Sequence, residues 1–194
     1  MANQFAIHSV GNSLRRYLEN AYPEPLRTNT ACSFRLLSSG EFMNTANFGT
    51  TLSLYLYRVT MNEYLRNVPR INQTFEDAAP LAVDLHYLLT VWANNALAEH
   101  TILAWAMREL YRRPILDKSS LSSEADWGTA DVIQLIPAEL SNEDIMRIWD
   151  ALEPPYHLSV SYIARVVRID LDAFESLQVV VANRFSYMDQ EVPA

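Results

Sequence analysis

One stretch of the sequence, residues 81–113, restricts most strongly what this chain can fold into. From Leu81 to Val91 every second residue is large and apolar, which is the two-residue period of a β-strand. Pro80 precedes this run, at a position where its missing N–H group does least damage to strand pairing. The pattern predicts a long strand around which the other segments pack.

After Ala93 the same stretch changes to the three- and four-residue spacing of a helix. Asn94 or Asn95 is a suitable N-cap because its side chain can accept a bond from a free backbone N–H group. Pro114 ends the helix, which we expect to be covered on more than one side. The main buried stripe that the spacing predicts consists of His100, Leu103, Met107 and Leu110.

Size and charge restrict the class of protein. With 194 residues, 49% of them apolar, the chain is long enough for one domain with a sizeable core. The formal net charge of −8 argues against nucleic-acid binding, which usually needs a basic surface. The four glycines form no phosphate-binding motif. No run approaches the ~20 apolar residues of a membrane-spanning helix. Residues 1–10 do not resemble a secretion signal, so we expect no membrane partner.

The remaining segments predict helices and strands that are partly segregated along the chain, which is typical of the α+β class. We expect a mostly antiparallel sheet of about five strands with about three helices packed against it. The strands at 31–37, 50–62 and 81–92 are predicted to form a hairpin or meander, with a loop at 63–79. The other predicted elements are a helix at 4–20, strands at 131–136, 158–170 and 177–185, and a short helix that Ser141 and Asp144 cap.

Few residues are grouped in a way that is typical of catalysis. Asp84 and His86 are two positions apart on the predicted strand and share a face, which suits a base oriented by a carboxylate. A solvated or interface-facing pair is the alternative interpretation. His100 is predicted to be a core histidine and Cys32 a small buried hydrophobic residue. The four histidines lack the spacing of metal ligands, so we expect no metal and no other cofactor.

Aromatic residues indicate a different kind of function. The chain contains ten tyrosines and four tryptophans, and Tyr, Trp and Arg are enriched at the energetic centres of protein interfaces. An ordinary monomer core with scattered aromatic residues would explain the same composition. A free strand or sheet edge is a further means of binding another chain.

Three long blocks of sequence resemble a known family. They read LSLYLYRVTMNEYLRN at 52–67, LAVDLHYLLTVWA at 81–93, and IQLIPAELSNEDIMRIWD at 133–150. The second continues through 99–110 and the third through 155–170, so the likeness covers most of the chain. Together they resemble the N-terminal terminator domain of the tube-terminating cap protein of extracellular contractile injection systems, which are phage-tail-like particles.

The resemblance implies a structural role without catalysis and a fold similar to phage tail terminators. Members of the family are thought to form a homohexameric ring at the baseplate-distal end of the particle. There they contact the inner tube and the sheath and stop their growth. The resemblance therefore implies assembly in the cytoplasm and a final place in an extracellular or cell-associated particle. It assigns residues 1–170 to the terminator-like domain and leaves 171–194 as a C-terminal strand or tail for exchange with a neighbouring subunit or partner.

Two other functions remain open from the sequence. One is a protein-docking α+β adaptor that forms no ring, and the other is a small hydrolase that uses Asp84 and His86. For the structural role, we expect contacts with neighbouring subunits or partners at aromatic, arginine and apolar positions. These candidates are Tyr64, Arg66, Arg112, Arg113, Trp127, Val179, Val181 and Phe185.

Overall fold

The computed structural model describes residues 2–62 and 80–169. In this part of the chain a six-stranded sheet is packed between helices on both faces. The strands are β1 (Ser33–Leu37), β2 (Thr51–Met61), β3 (Leu81–Trp92), β4 (Ile115–Leu116), β5 (Ile133–Ala138) and β6 (Ser159–Ile169). The helices are α1 (Ala6–Ala21), α2 (Glu24–Asn29), α3 (Ala96–Arg112) and α4 (Asn142–Asp150), with 3₁₀ segments at Ser39–Asn47 and Ser123–Ala125.

The strand order across the sheet is β1-β2-β3-β6-β5-β4, and every pair except β1–β2 is antiparallel. The predicted α+β class with a mostly antiparallel sheet is therefore confirmed. The predicted hairpin of the first two strands is wrong, because β1 and β2 are parallel. Parallel neighbours need a crossover connection rather than a tight turn. The segment between β1 and β2 supplies that crossover through its 3₁₀ segment.

Strand β3 is the central strand, as predicted. It pairs with β2 on one side and β6 on the other, and Leu85, Leu88 and Leu89 are fully buried. Leu85 and Leu89 belong to the core beneath α1 and α3, whereas Leu88 belongs to the core beneath α4. Successive side chains of a strand point to opposite faces, so one strand contributes to both layers.

Helix α3 follows β3 directly, and Asn95 caps it by accepting a bond from the Ala98 N–H at 2.9 Å. The predicted helix is confirmed, but its buried stripe is rotated from the predicted one. His100 is exposed, and the prediction of a core histidine is wrong. Met107 is also 40% exposed. Leu103 and Leu110 are buried as predicted, and Ala98, Ile102, Trp105 and Ala106 complete the apolar face toward the sheet.

Helix α1 covers the same face of the sheet and approaches it closely at Gly11. A Cβ atom at this position would lie 2.9 Å from both terminal methyl carbons of Leu36, so glycine fits where a larger residue would not. Near the C-terminal end of α1, the Tyr22, Phe34 and Trp105 rings pack edge to face, with centroids 4.9–6.1 Å apart. Short helix α2 and strand β4 were not predicted from the sequence.

Helix α4 and the first 3₁₀ segment cover the opposite face of the sheet. Ser141 caps α4 by accepting a bond from the Asp144 N–H at 3.1 Å, as the sequence predicted. Trp149 is the one buried residue within α4, and its ring lies 6.0 Å from that of Trp92 on β3. A small second core therefore holds this layer, formed by Leu37, Phe42, Phe48, Leu88, Trp92 and Trp149.

Candidate functional site

A polar cluster joins α1 to the C-terminal end of α3. Tyr17 Oη donates to Glu109 Oε1 at 2.6 Å, and Arg112 Nη1 donates to Glu109 Oε2 at 3.0 Å. Because Glu109 is buried, these two bonds compensate for the loss of hydration of its charge. Burial and the bond to Glu109 raise the pKa of Tyr17 to about 12. Arg113 lies over the Tyr17 ring, with its guanidinium carbon 5.8 Å from the ring centroid.

This cluster brings together two of the predicted interface residues, Arg112 and Arg113. Both are exposed, and the Arg113 side chain borders a groove of about 500 Å³ between α1 and the loop that follows β4. The Arg112 guanidinium group is bonded to Glu109, but most of the Arg112 side chain is exposed to solvent. A partially anchored arginine loses less conformational freedom on binding than a free one, which suits an interface position.

Trp127, another of the predicted interface residues, is buried in the single chain rather than placed at its surface. Its side chain is only 4% exposed, and its indole N–H donates to Ser9 Oγ at 2.9 Å. The residues before it in the sequence are polar because they bind the N-terminal segment. Asp126 accepts a hydrogen bond from the Asn3 side chain, and Glu124 lies beside His8. Because its neighbours in the sequence are polar, nothing in the local pattern indicated that Trp127 is buried.

The other predicted interface residues lie outside the described residues. Tyr64 and Arg66 belong to 63–79, and Val179, Val181 and Phe185 belong to 170–194. The division of the chain at residue 170 also falls at the border of the described residues. These assignments stay predictions.

Asp84 and His86 share a face of β3 as predicted, but each has its own structural partner. Asp84 accepts bonds from Asn62 Nδ2 at 3.1 Å and from the Val166 N–H at 3.0 Å. His86 Nε2 is bonded to Thr60 Oγ1 at 3.0 Å. Burial, followed by the nearby charge of Arg58, lowers the pKa of His86.

The bond from Asp84 to Val166 supports an irregular part of the sheet. The β3–β6 register shifts between Val83 and Leu85, and Val166 adopts a left-handed backbone with φ 65°. This conformation is strained for a β-branched residue and needs support from its surroundings. Asp84 therefore has a clear role in holding β6 in place, and a catalytic role is not required to explain it.

An open groove of about 720 Å³ runs between α4 and the sheet. Its wall is mixed in character, with aromatic rings, charged groups and aliphatic side chains together. The lining includes Tyr55, Tyr57, Arg58, His86, Leu152 and Ile163. A groove with aromatic, aliphatic and charged side chains of both signs suits the side chains of another protein.

The edge of β2 beside this groove has no neighbouring strand in the described part of the chain. β1 pairs only with Thr51–Tyr55, whereas β2 continues to Met61. Val59 and Met61 are 45% and 63% exposed on this extension. An unpaired edge presents backbone donors and acceptors to which a further strand can add.

Two features of the described residues bear on other classes of function. Within 2–62 and 80–169, no helix combines the length and the hydrophobicity needed to cross a membrane. In the same ranges no three His, Cys, Asp or Glu side chains come together as metal ligands would. Burial raises the pKa of the Cys32 thiol to about 11, so this cysteine is a poor nucleophile at neutral pH.

Two solved structures share this fold across nearly all of the chain. The sheath/tube terminator of the extracellular contractile injection system PVC, in its extended state, matches with a TM-score of 0.60 and 16% identity, over 100% of this chain and 66% of that one. The tube-terminating cap of the anti-feeding prophage AFP matches with a TM-score of 0.54 and 15% identity, over 93% of this chain and 59% of that one. This chain therefore spans about three fifths to two thirds of their length. A search of curated proteins found no match.

A family model provides independent support at the level of sequence. The model for the Pvc16 N-terminal domain matches residues 9–182, which includes every strand described above and most of α1. A match of this extent cannot arise from a single shared motif. The chain belongs to the Pvc16 N-terminal domain family.

Proposed function

We propose that this protein is a structural cap that ends the inner tube and the sheath of a contractile injection particle at the end distal to the baseplate. The observation that carries the proposal is the family match over residues 9–182, together with a fold shared with a sheath/tube terminator over the whole chain. In this role the protein acts by adhesion and steric exclusion. It binds the last tube and sheath rings and presents no surface to which the next ring can add.

The proposed assembly is a ring of six copies. A closed ring needs a head-to-tail contact, and so two different surfaces on each subunit. The chain has several candidate surfaces: the exposed edge of β2, the Arg112 and Arg113 cluster, and the outer sides of α3 and α4. The inner tube protein and the sheath protein are the other proposed partners. Assembly takes place in the cytoplasm, and the finished cap then belongs to an extracellular or cell-associated particle.

The proposal includes no catalysis, nucleic-acid binding or membrane binding. Asp84 supports this view because its carboxylate holds Asn62 and the backbone of Val166. A substitution of His86 by alanine tests the hydrolase alternative directly. We expect particles of normal length with this variant, and loss of particle function without loss of assembly would favour the hydrolase.

The length of assembled particles tests the capping role. Particles assembled from tube, sheath and baseplate components without this protein are expected to show a broad length distribution and open distal ends in electron micrographs. Addition of the full chain is expected to restore uniform length and a density at each distal end. Uniform, capped particles in its absence would contradict the proposal. A chain that binds particles without changing their length would favour the adaptor alternative.

A further inference from the structure

The outer side of α3 carries an apolar stripe that the fold does not cover. Leu97, Ala104 and Tyr111 follow one another at intervals of seven residues, with Met107 between the last two. All four are exposed, and Leu97 and Tyr111 are 80% and 83% exposed. Seven residues are nearly two helical turns, so these side chains lie in one line along α3. Such a line on a surface helix is typical of a protein interface rather than of a solvated face.

Positive charges accompany this stripe at the C-terminal half of α3. Arg108 is exposed and forms no ion pair with any residue in the described ranges 2–62 and 80–169. Arg112 and Arg113 follow it, and the one acidic residue between them, Glu109, is buried and bonded to Arg112. We refer to Leu97, Ala104, Met107, Arg108 and Tyr111 as the α3 outer surface. Its net charge is positive in a chain whose overall charge is −8.

The outer side of α4 has the opposite character. Glu143, Met146 and Asp150 are spaced by three and four residues along its exposed face, and Glu153 follows just beyond its end. Met146 is 43% exposed. Glu143 is bonded to Arg147, whereas Asp150 and Glu153 have no ion pair in the part of the chain that the structure describes. We refer to Glu143, Met146, Asp150 and Glu153 as the α4 outer surface.

These two surfaces cannot meet within one molecule. Residues of α3 pack in the core on one face of the sheet, and Trp149 of α4 packs in the core on the other face. A contact between them therefore joins different copies. Pairing α3 with α3 by two-fold symmetry would place Arg108 near a second Arg108, and pairing α4 with α4 would bring carboxylates together.

We propose that the α3 outer surface of one copy binds the α4 outer surface of the next copy. The inference rests on the ring in the proposed function and assigns an interface to it. Both surfaces combine an exposed methionine with unpaired charges, and the charges have opposite sign. Apolar contact at Met107, Tyr111 and Met146 excludes water, and the arginine and carboxylate groups fix the orientation and the choice of partner. Because the two surfaces differ, the contact is head-to-tail, which a closed ring requires.

Charge reversal tests this interface with two variants of the full chain, Arg108→Glu and Asp150→Arg. In a ring built from only one of these variants, like charges face each other at every subunit contact. We therefore expect at least about a tenfold loss in the apparent affinity between copies. An equimolar mixture is expected to regain assembly. In a ring of even number the two variants can alternate, and every contact then joins opposite charges. Native mass spectrometry in the presence of the inner tube and sheath proteins would count the copies of each variant per ring.

A control variant separates this effect from a general change in charge. Lys118→Glu alters an exposed residue outside both surfaces, in the loop after β4, and carries the same charge change as Arg108→Glu. We expect it to assemble as the natural sequence does. Thermal unfolding of the isolated chains checks that Arg108→Glu and Asp150→Arg fold normally.

The other outcomes would each overturn the interface. Assembly that neither reversal weakens, or a loss that the mixture does not restore, would show that these surfaces do not face each other. Rings that form normally but no longer hold tube or sheath would assign the surfaces to those partners instead. In all three cases the capping role stands. If the natural sequence itself formed no oligomer and capped no tubes, the proposed function would fail as well.

Discussion

The hydroxyl group of Tyr17 is the clearest link between burial and pH in this protein. Burial and the bond to Glu109 raise its pKa to about 12, and burial, followed by the nearby Cys32, raises the pKa of Tyr22 to a similar value. In the unfolded chain a tyrosine loses its proton near pH 10. Above that pH the folded state retains protons that the unfolded state has lost, so stability decreases as pH increases from about 10 to about 12.

Replacing Tyr17 by phenylalanine tests this account. At neutral pH we expect a loss of about 1 kcal/mol in the free energy of unfolding, because Glu109 loses one of its two bonds. Above pH 10 we expect a smaller decrease in stability than in the natural sequence, because the variant lacks the Tyr17 hydroxyl group, whose pKa is raised in the folded state. Tyr111→Phe is the matched control, because Tyr111 is 83% exposed. Denaturant unfolding from pH 7 to pH 11.5 measures both effects, and parallel curves for all three proteins would contradict the account.

At the scale of elements, a small number of large side chains decides where each helix lies. Helix α4 is attached to the sheet mainly through Trp149. The centroid of its ring lies 6.0–6.4 Å from the ring centroids of Phe42, Trp92 and Tyr156. Its indole N–H has no acceptor among the described residues. The attachment is therefore apolar and aromatic, without a directional bond.

The missing hydrogen bond predicts which of two substitutions of Trp149 lowers the free energy of unfolding more. Trp149→Ala is expected to cost about 3–5 kcal/mol in the free energy of unfolding, because it leaves a cavity among aromatic rings. Trp149→Phe is expected to cost much less, since it retains an aromatic ring and removes a buried donor without a partner. Asn142→Ala, at an exposed position of the same helix, should change stability little. Equal losses for the two Trp149 variants would indicate that the N–H group is bonded after all.

At the scale of the whole molecule, the sheet leaves a place for a strand from elsewhere. The extension of β2 beyond β1 has a free edge among the described residues, and residues 177–185 are apolar enough to be predicted as a strand. We propose that this segment adds to a neighbouring subunit or partner. The chain from Asp170 onward begins directly after β6, whose last residues pair with the start of β3.

Deletion of residues 171–194 tests the strand exchange. We expect the shortened chain to fold, because the six strands and the two cores that the structure describes lie within residues 2–169. Its assembly with tube and sheath is expected to be weaker by at least about tenfold, since a strand addition contributes several backbone bonds. A chain shortened only by residues 187–194 is the control. Particles capped equally well by both chains would contradict the proposal.

The sequence alone determined the elements whose pattern is local. β3 and α3 were predicted because a change from a two-residue to a 3.6-residue period is visible along the chain, and α4 because Ser141 marks its start. Long blocks of residues also indicated the family that the comparison of residues 9–182 establishes. Short α2 and β4 were missed because two to six residues carry too little periodicity.

Only the tertiary structure decided which side of each element is covered. Periodicity shows which residues share a face, but not which neighbour lies on it. His100 was therefore placed in the core although α3 turns it to solvent, and Trp127 was placed at the surface although Ser9 binds its indole. The parallel pairing of β1 with β2 likewise depends on the path of residues 38–50 across the sheet. Burial is a property of contacts between distant segments, and a local pattern does not contain them.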